Sequence, residues 1–192
     1  TPGIIIFSLA FITMFTASLV AKDRCSSLTA RLGVSPMKSI NYILGYILSV
    51  IPLILIQNIL FFITAIILGL KFSSNAIYTI LAVIPISILF ISLGILIGTI
   101  TTEKSSSGIS SIIVQLVAFT SGMYFTTDMV GSTFSTICHI LPFESTLNIT
   151  KDILNSNYNN ILPSILIVGI YIVIVIILTI ILFKRKMISD NK

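Results

Sequence analysis

The positive charge of this chain is gathered into islands, and the apolar runs between them are long enough to cross a bilayer. Nine of its eleven Lys and Arg residues lie between Lys22 and Lys38, at Lys104, or between Lys184 and Lys192. The hydrocarbon core of a bilayer is about 30 Å thick and takes roughly 20 apolar helical residues to span. Five runs meet that length: 3–21, 42–70, 77–101, 108–125 and 162–183. A composition of 56% hydrophobic and 9% charged residues exceeds what one soluble core of 192 residues can hold, so lipid is the solvent. An unpaired backbone amide in hydrocarbon costs several kcal/mol, which leaves helices or a closed barrel, and barrel strands would alternate where these runs are continuous. The expected fold is all-α: a polytopic bundle of five transmembrane helices forming a single domain over 1–192. A cytoplasmic loop over 22–41 and an external region over 126–161 carry shorter helices.

Orientation follows from the same islands, since Lys and Arg near span ends stay on the cytoplasmic side. Lys22, Arg24, Arg31 and Lys38 after the first run, and Lys184, Arg185, Lys186 and Lys192 after the last, belong inside. The opposite side keeps Lys71 and Lys151 with Asp128, Glu144 and Asp152. The chain is therefore expected to start outside and end in the cytoplasm. A span beginning at Thr1-Pro2-Gly3, with no initiating Met and no signal sequence, is expected to be the C-terminal part of a longer chain. Cys25 and Cys138 fall on opposite sides and cannot pair within one chain. Neither belongs to a Cys/His cluster, and His139 has no second ligand nearby, so no metal site is expected.

Within the runs, the second would be about 43 Å long as a straight helix and must tilt, bend or project. Pro52 removes a bond to the Leu48 carbonyl and Pro85 one to that of Leu81, giving either a hinge or a fixed kink. Gly94 and Gly98 form a GxxxG, suited to close helix packing inside the bundle or between two copies. No charged residue lies mid-span, which argues against a proton relay. The polar groups there are Gln57, Asn58 and Gln115, fitted to line a path or to bond between helices. HExxH, GxSxG and paired acidic motifs are all missing, so no catalytic residue is expected. Without a GxxxxGK[ST] loop, any nucleotide hydrolysis must come from another polypeptide.

The loop from Asp23 to Ser39 is more than a turn. Asp23 to Val34 reads as a short helix stopped by Ser35-Pro36, with Arg24 and Arg31 seven apart on one face and Leu28 and Leu32 forming an apolar stripe beside it. On its own this is either a docking surface or a basic flank resting among anionic headgroups. In the external region, Phe134, Ile137, Cys138 and Leu141 follow helical spacing, and Leu147, Ile153 and Leu154 mark a second apolar face beyond Pro142.

The loop resembles that of type 2 ABC exporter permeases, which carry an acidic-Arg pair, a Gly-Thr pair, an Arg-Leu, a Thr/Ser-Pro and a Leu-Gly entering the next span. The residues here are Asp23-Arg24, Ser27-Leu28, Arg31-Leu32, Ser35-Pro36 and Leu44-Gly45, with Ser27-Leu28 standing where the family has Gly-Thr. The resemblance covers nearly all of the chain. It implies a coupling helix over 23–38, seated in a cleft of an ATP-binding subunit. Arg24, Arg31 and Lys38 would orient that contact, and Leu28 and Leu32 would anchor it. It implies short re-entrant helices before the last span, and a further span with an external region preceding the part seen here. The implied partners are an ABC ATPase, which binds the ATP and Mg while this chain holds no cofactor, and a second permease subunit, alike or different. The implied location is a bacterial cytoplasmic membrane, and no nucleic acid is involved. An ion-coupled secondary transporter and a membrane-anchored interaction or assembly protein are the other readings the residues allow.

Overall fold

The structure, a computed structural model, describes residues 2–24, 39–69, 74–123, 132–157 and 161–190, with backbone alone at 39, 74, 132–134, 137 and 186–190. Seven helices make up almost all of it: α1 (Pro2–Arg24), α2 (Ser39–Ile67), α3 (Ser74–Ile100), α4 (Glu103–Thr120), α5 (Ser132–Ile140), α6 (Pro142–Leu154) and α7 (Ile161–Asp190). Among the described residues there is no strand. Four helices, α1, α2, α3 and α7, are long and apolar enough to cross a membrane. They coincide with the first, second, third and fifth apolar runs.

The fourth run, 108–125, falls on α4, which is shifted toward the N-terminus of that run and is less apolar than the others. Thr102 starts it early: its backbone N–H donates to Ser105 Oγ (3.2 Å), and the two hydroxyls lie 2.9 Å apart. Glu103 sits in the first turn, where the helix dipole favours negative charge. The other end unwinds at Gly122, whose φ of +73° suits a residue without a Cβ.

Burial separates a centre from a periphery. In the apolar 18-residue stretch of each membrane-length helix, 61% of residues in α1 and 56% in α3 are buried, against 22% in α2 and 17% in α7. Leu48, Leu60, Ile170 and Val173 point outward from α2 and α7, as a face wetted by lipid requires. The α1–α3 pair is the core. A Cβ added at Gly94 would sit 2.7 Å from the Thr13 carbonyl oxygen, and one at Gly98 would sit 2.6 Å from that of Ala17. The GxxxG thus packs within the bundle, and the close approach lets Thr13 Oγ1 donate to the Phe90 carbonyl across it (2.9 Å). Several other buried hydroxyls bond back along their own helix, as Thr79, Thr99, Thr150 and Thr179 do to the carbonyl four residues earlier.

Helices α2 and α3 run through Pro52 and Pro85, and both prolines lie on exposed faces. Pro142 separates α5 from α6 and occupies the first helical position of α6, where its missing N–H costs nothing. Helix α6 is buried along most of its length by α7 and α3. Of the apolar residues expected in this region, Cys138, Leu147 and Ile153 are buried and Leu141 and Leu154 half-buried. The side chains of Phe134 and Ile137 lie outside the described residues. So does the segment 25–38, and with it Cys25, Leu28, Arg31, Leu32, Ser35, Pro36 and Lys38.

Candidate functional site

Of the segment 23–38, the structure describes Asp23 and Arg24, in the last turn of α1. Arg24 Nη1 donates to the carbonyl oxygens of Gly98 (3.2 Å) and Thr99 and lies 3.4 Å from that of Thr101. These are the terminal carbonyls of α3, left unpaired where the helix stops and carrying the negative end of its dipole, so a guanidinium there both satisfies and neutralises them. One residue earlier, Asp23 accepts a hydrogen bond from the Tyr46 hydroxyl of α2. Tyr42 donates in turn to Tyr46 Oη (3.0 Å), and its ring stacks on Phe183 of α7 at 4.4 Å between centroids. A step of one residue turns a helix by about 100°, which is why two consecutive side chains reach two different neighbours.

The three candidate amides are not brought together. Asn58 is buried in α2, its Nδ2 donating to the Ile54 carbonyl (3.0 Å), while its Oδ1 has no partner among the described residues. Gln57 is half-buried in an open groove of about 350 Å³ lined by Leu53, Ile56, Leu60, Phe61 and Thr64. Gln115 is exposed on α4. That helix turns Ser106, Ser110, Val114 and Val117 inward. The positions one residue further on, Ser107, Ser111 and Gln115, therefore form an outward polar stripe at four-residue spacing. Ser111 Oγ donates to the Ser107 carbonyl (2.8 Å) and reaches Met14 Sδ of α1 at 4.0 Å. On α1 the outward residues nearby are Phe11 and Phe15. The open surface of α1 and α4 is thus a polar stripe set among apolar residues, Phe11 and Phe15 on α1 and Ile112 and Leu116 on α4.

A third cluster sits at the other end of the bundle. His139 Nδ1 lies 3.1 Å from Glu144 Oε2; the imidazole is 59% exposed and the carboxylate 11%. Cys138 is buried beside them, and burial, with the Glu144 carboxylate adding to it, pushes its thiol up. Tyr171 of α7 donates to the Ile140 carbonyl (2.9 Å), and Asn75 of α3 donates to Ser156 Oγ (2.6 Å) and the Leu154 carbonyl (3.3 Å). Among the described residues no group of three or more His, Cys, Asp or Glu side chains converges as a metal site would require.

Sequence reasoning passed over Tyr42, Tyr46, Tyr171 and the burial of Glu144. For the first two a signal existed: tyrosines four apart at the start of an apolar run, beside a charged span end, have their rings in lipid and hydroxyls in need of partners. The family model described as ABC-2 family transporter protein matches residues 1–181. No curated protein and no solved structure matches the chain.

Proposed function

Because the chain belongs to the ABC-2 family of transporter proteins, we propose that it is a permease subunit of an ATP-binding cassette exporter, driven by a separate ATPase. The observation that carries the pathway is the polar stripe of α4. Ser107, Ser111 and Gln115 face outward from a helix set between apolar neighbours. Amides and hydroxyls are costly against hydrocarbon, and such groups turn toward protein or a water-filled cavity. A second permease subunit facing this stripe and the adjoining Phe11 and Phe15 would enclose a path with mixed walls. Gln57 and Thr64, in the groove on α2, extend the polar lining; buried Asn58 serves packing.

In this reading α4 is the fifth crossing. At about 1.5 Å per residue its 18 residues reach about 27 Å, close to the hydrocarbon thickness. The N-terminal end of α1 is then outside and the C-terminal end of α7 cytoplasmic. Helices α5 and α6 re-enter from the outer side, and the burial of Phe143, Leu147 and Ile153 supports it. The segment 25–38 docks on the ATPase through Leu28 and Leu32, with Arg31 and Lys38 orienting the contact and Ser35-Pro36 ending it. ATP, with Mg, is bound and hydrolysed by that partner. Closure of the ATPases displaces the docked segments, and the two permeases respond by exchanging inward-open for outward-open packing.

Cysteine accessibility tests the pathway. In the assembled complex, Gln115→Cys and Ser111→Cys are expected to react with a membrane-impermeant methanethiosulfonate, while Ile174→Cys on the outward face of α7 stays unreactive. Equal silence at all three positions would place the stripe against lipid and remove the argument.

A further inference from the structure

Asp23 and Arg24 are the last residues of α1 before the segment 25–38, and α2 resumes at Ser39. Both carry charge, and both are engaged within the chain: Arg24 on the carbonyl end of α3, Asp23 on Tyr46 of α2. We propose that these contacts form a clasp that joins the cytoplasmic ends of α1, α2 and α3 into one lever, so that displacement of the segment 25–38 is delivered to three helices together. This rests on the exporter reading and assigns the two residues a positioning role inside the permease.

The packing explains why such a clasp is needed. Helix α1 lies closely along α3, at Gly94 and Gly98, but meets α2 over little surface. Apolar contact therefore couples α1 to α3 directly and to α2 mainly through α3. The Tyr46 hydroxyl on Asp23 adds a direct polar link between α1 and α2 at this end. Tyr42, bonded to Tyr46 and stacked on Phe183, carries it on to α7. On the α3 side, Gly98 leaves the helix end without a side chain at the contact, and Arg24 reaches its carbonyls directly. Guanidinium hydrogen bonds to carbonyls are directional, so rotation of α3 away from Arg24 would strand both charge and carbonyls.

Spin-label distances in the full permease–ATPase complex test this, with Cys25 and Cys138 replaced by serine. Labels at Lys22 and Leu44, both exposed, report α1 against α2. Labels at Lys22 and Ile100 report α1 against α3. The unaltered complex is expected to give one narrow distance for each pair, unchanged between the nucleotide-free state and ATP with vanadate. Tyr46→Phe, which keeps the ring and removes the hydroxyl, is expected to retain the ATPase yet show a nucleotide-dependent α1–α2 shift on the order of 2 Å or more, the scale of helix displacements at subunit interfaces. Arg24→Gln is expected to give such a shift between α1 and α3, and Arg24→Lys, which returns a charge to the carbonyls, to suppress it. Nucleotide-independent distances in Tyr46→Phe with the ATPase bound, or a shift already present in the unaltered complex, would overturn the clasp alone. An unaltered permease that retains no ATPase would overturn the exporter reading, and this role with it.

Discussion

At the scale of single residues, two glycines separate fold from decoration. Alanine at Gly94 or Gly98 would set a Cβ within 2.7 Å of α1 backbone carbonyls, which cannot yield as a flexible side chain does. Overpacking of this kind costs about 1–3 kcal/mol. Gly45→Ala meets nothing within 4 Å and is expected to be neutral or stabilising, by about 1 kcal/mol at most, because alanine is the better helix former. Thermal unfolding in detergent should therefore fall for Gly94→Ala and Gly98→Ala but not for Gly45→Ala; equal behaviour would contradict the close packing. Thr13→Val removes one interhelical bond and should cost less, about 0.6 kcal/mol, the average for such bonds in membranes. Cys138 makes a chemical prediction at the same scale. Its thiol is raised by burial and the thiolate is the nucleophile, so maleimide labelling of Cys138 in folded Cys25→Ser protein should stay negligible through about pH 8.5, where an ordinary thiol is half ionised. Unfolding should release it. The GxxxG spacing was visible in the sequence, but its partner was not, because the spacing says that something approaches closely and leaves open whether that is α1 or a second subunit.

Among the elements, α1, α2, α3 and α7 were readable as membrane-length helices, since an uninterrupted apolar run has one stable conformation in lipid, although α7 continues to Asp190, beyond the apolar run that ends at 183. Helix α4 was placed late because apolarity marks where the hydrocarbon lies, whereas the helix begins where Thr102 and Ser105 supply hydrogen bonds. The short helix α6 was legible in its Pro142 start and its Leu147 and Ile153 face. Its depth was not, because Glu144, Ser145, Thr146 and Thr150 are polar and yet all buried. Thr146 and Thr150 are accommodated by local bonds to the Phe143 (2.7 Å) and Thr146 (2.8 Å) carbonyls, pairings that polarity alone does not announce. The end of α6 is held to α3 by Asn75. In Asn75→Ala, backbone amides near Leu154 to Asn157 should exchange hydrogen faster while those in α3 stay protected, since local opening follows the loss of local bonds. Unchanged exchange at that end would show the two bonds to be dispensable.

For the molecule as a whole, composition and apolar runs carry the class, an all-helical multi-pass membrane protein, while the family comes from the match over residues 1–181. Tertiary contacts give part of the candidate site partners within the chain. Asp23 and Arg24, which the resemblance puts on an ATPase, are engaged with α2 and α3. Gln57, Asn58 and Gln115 look equivalent in sequence yet are half-buried, buried and exposed. Only packing distinguishes them, because an amide in an apolar run has the same hydropathy whichever way it faces. The central claim is that a separate ATPase drives this permease through Leu28 and Leu32. Affinity purification from mild detergent, with mass spectrometry of what remains bound, tests it most directly. The account predicts that an ABC ATPase is recovered with the unaltered permease and lost from Leu28→Glu/Leu32→Glu, while the variant's helical bundle still unfolds at its usual temperature. Recovery of the permease alone, under conditions that preserve a known ABC complex, or an ATPase retained undiminished by the variant, would contradict it.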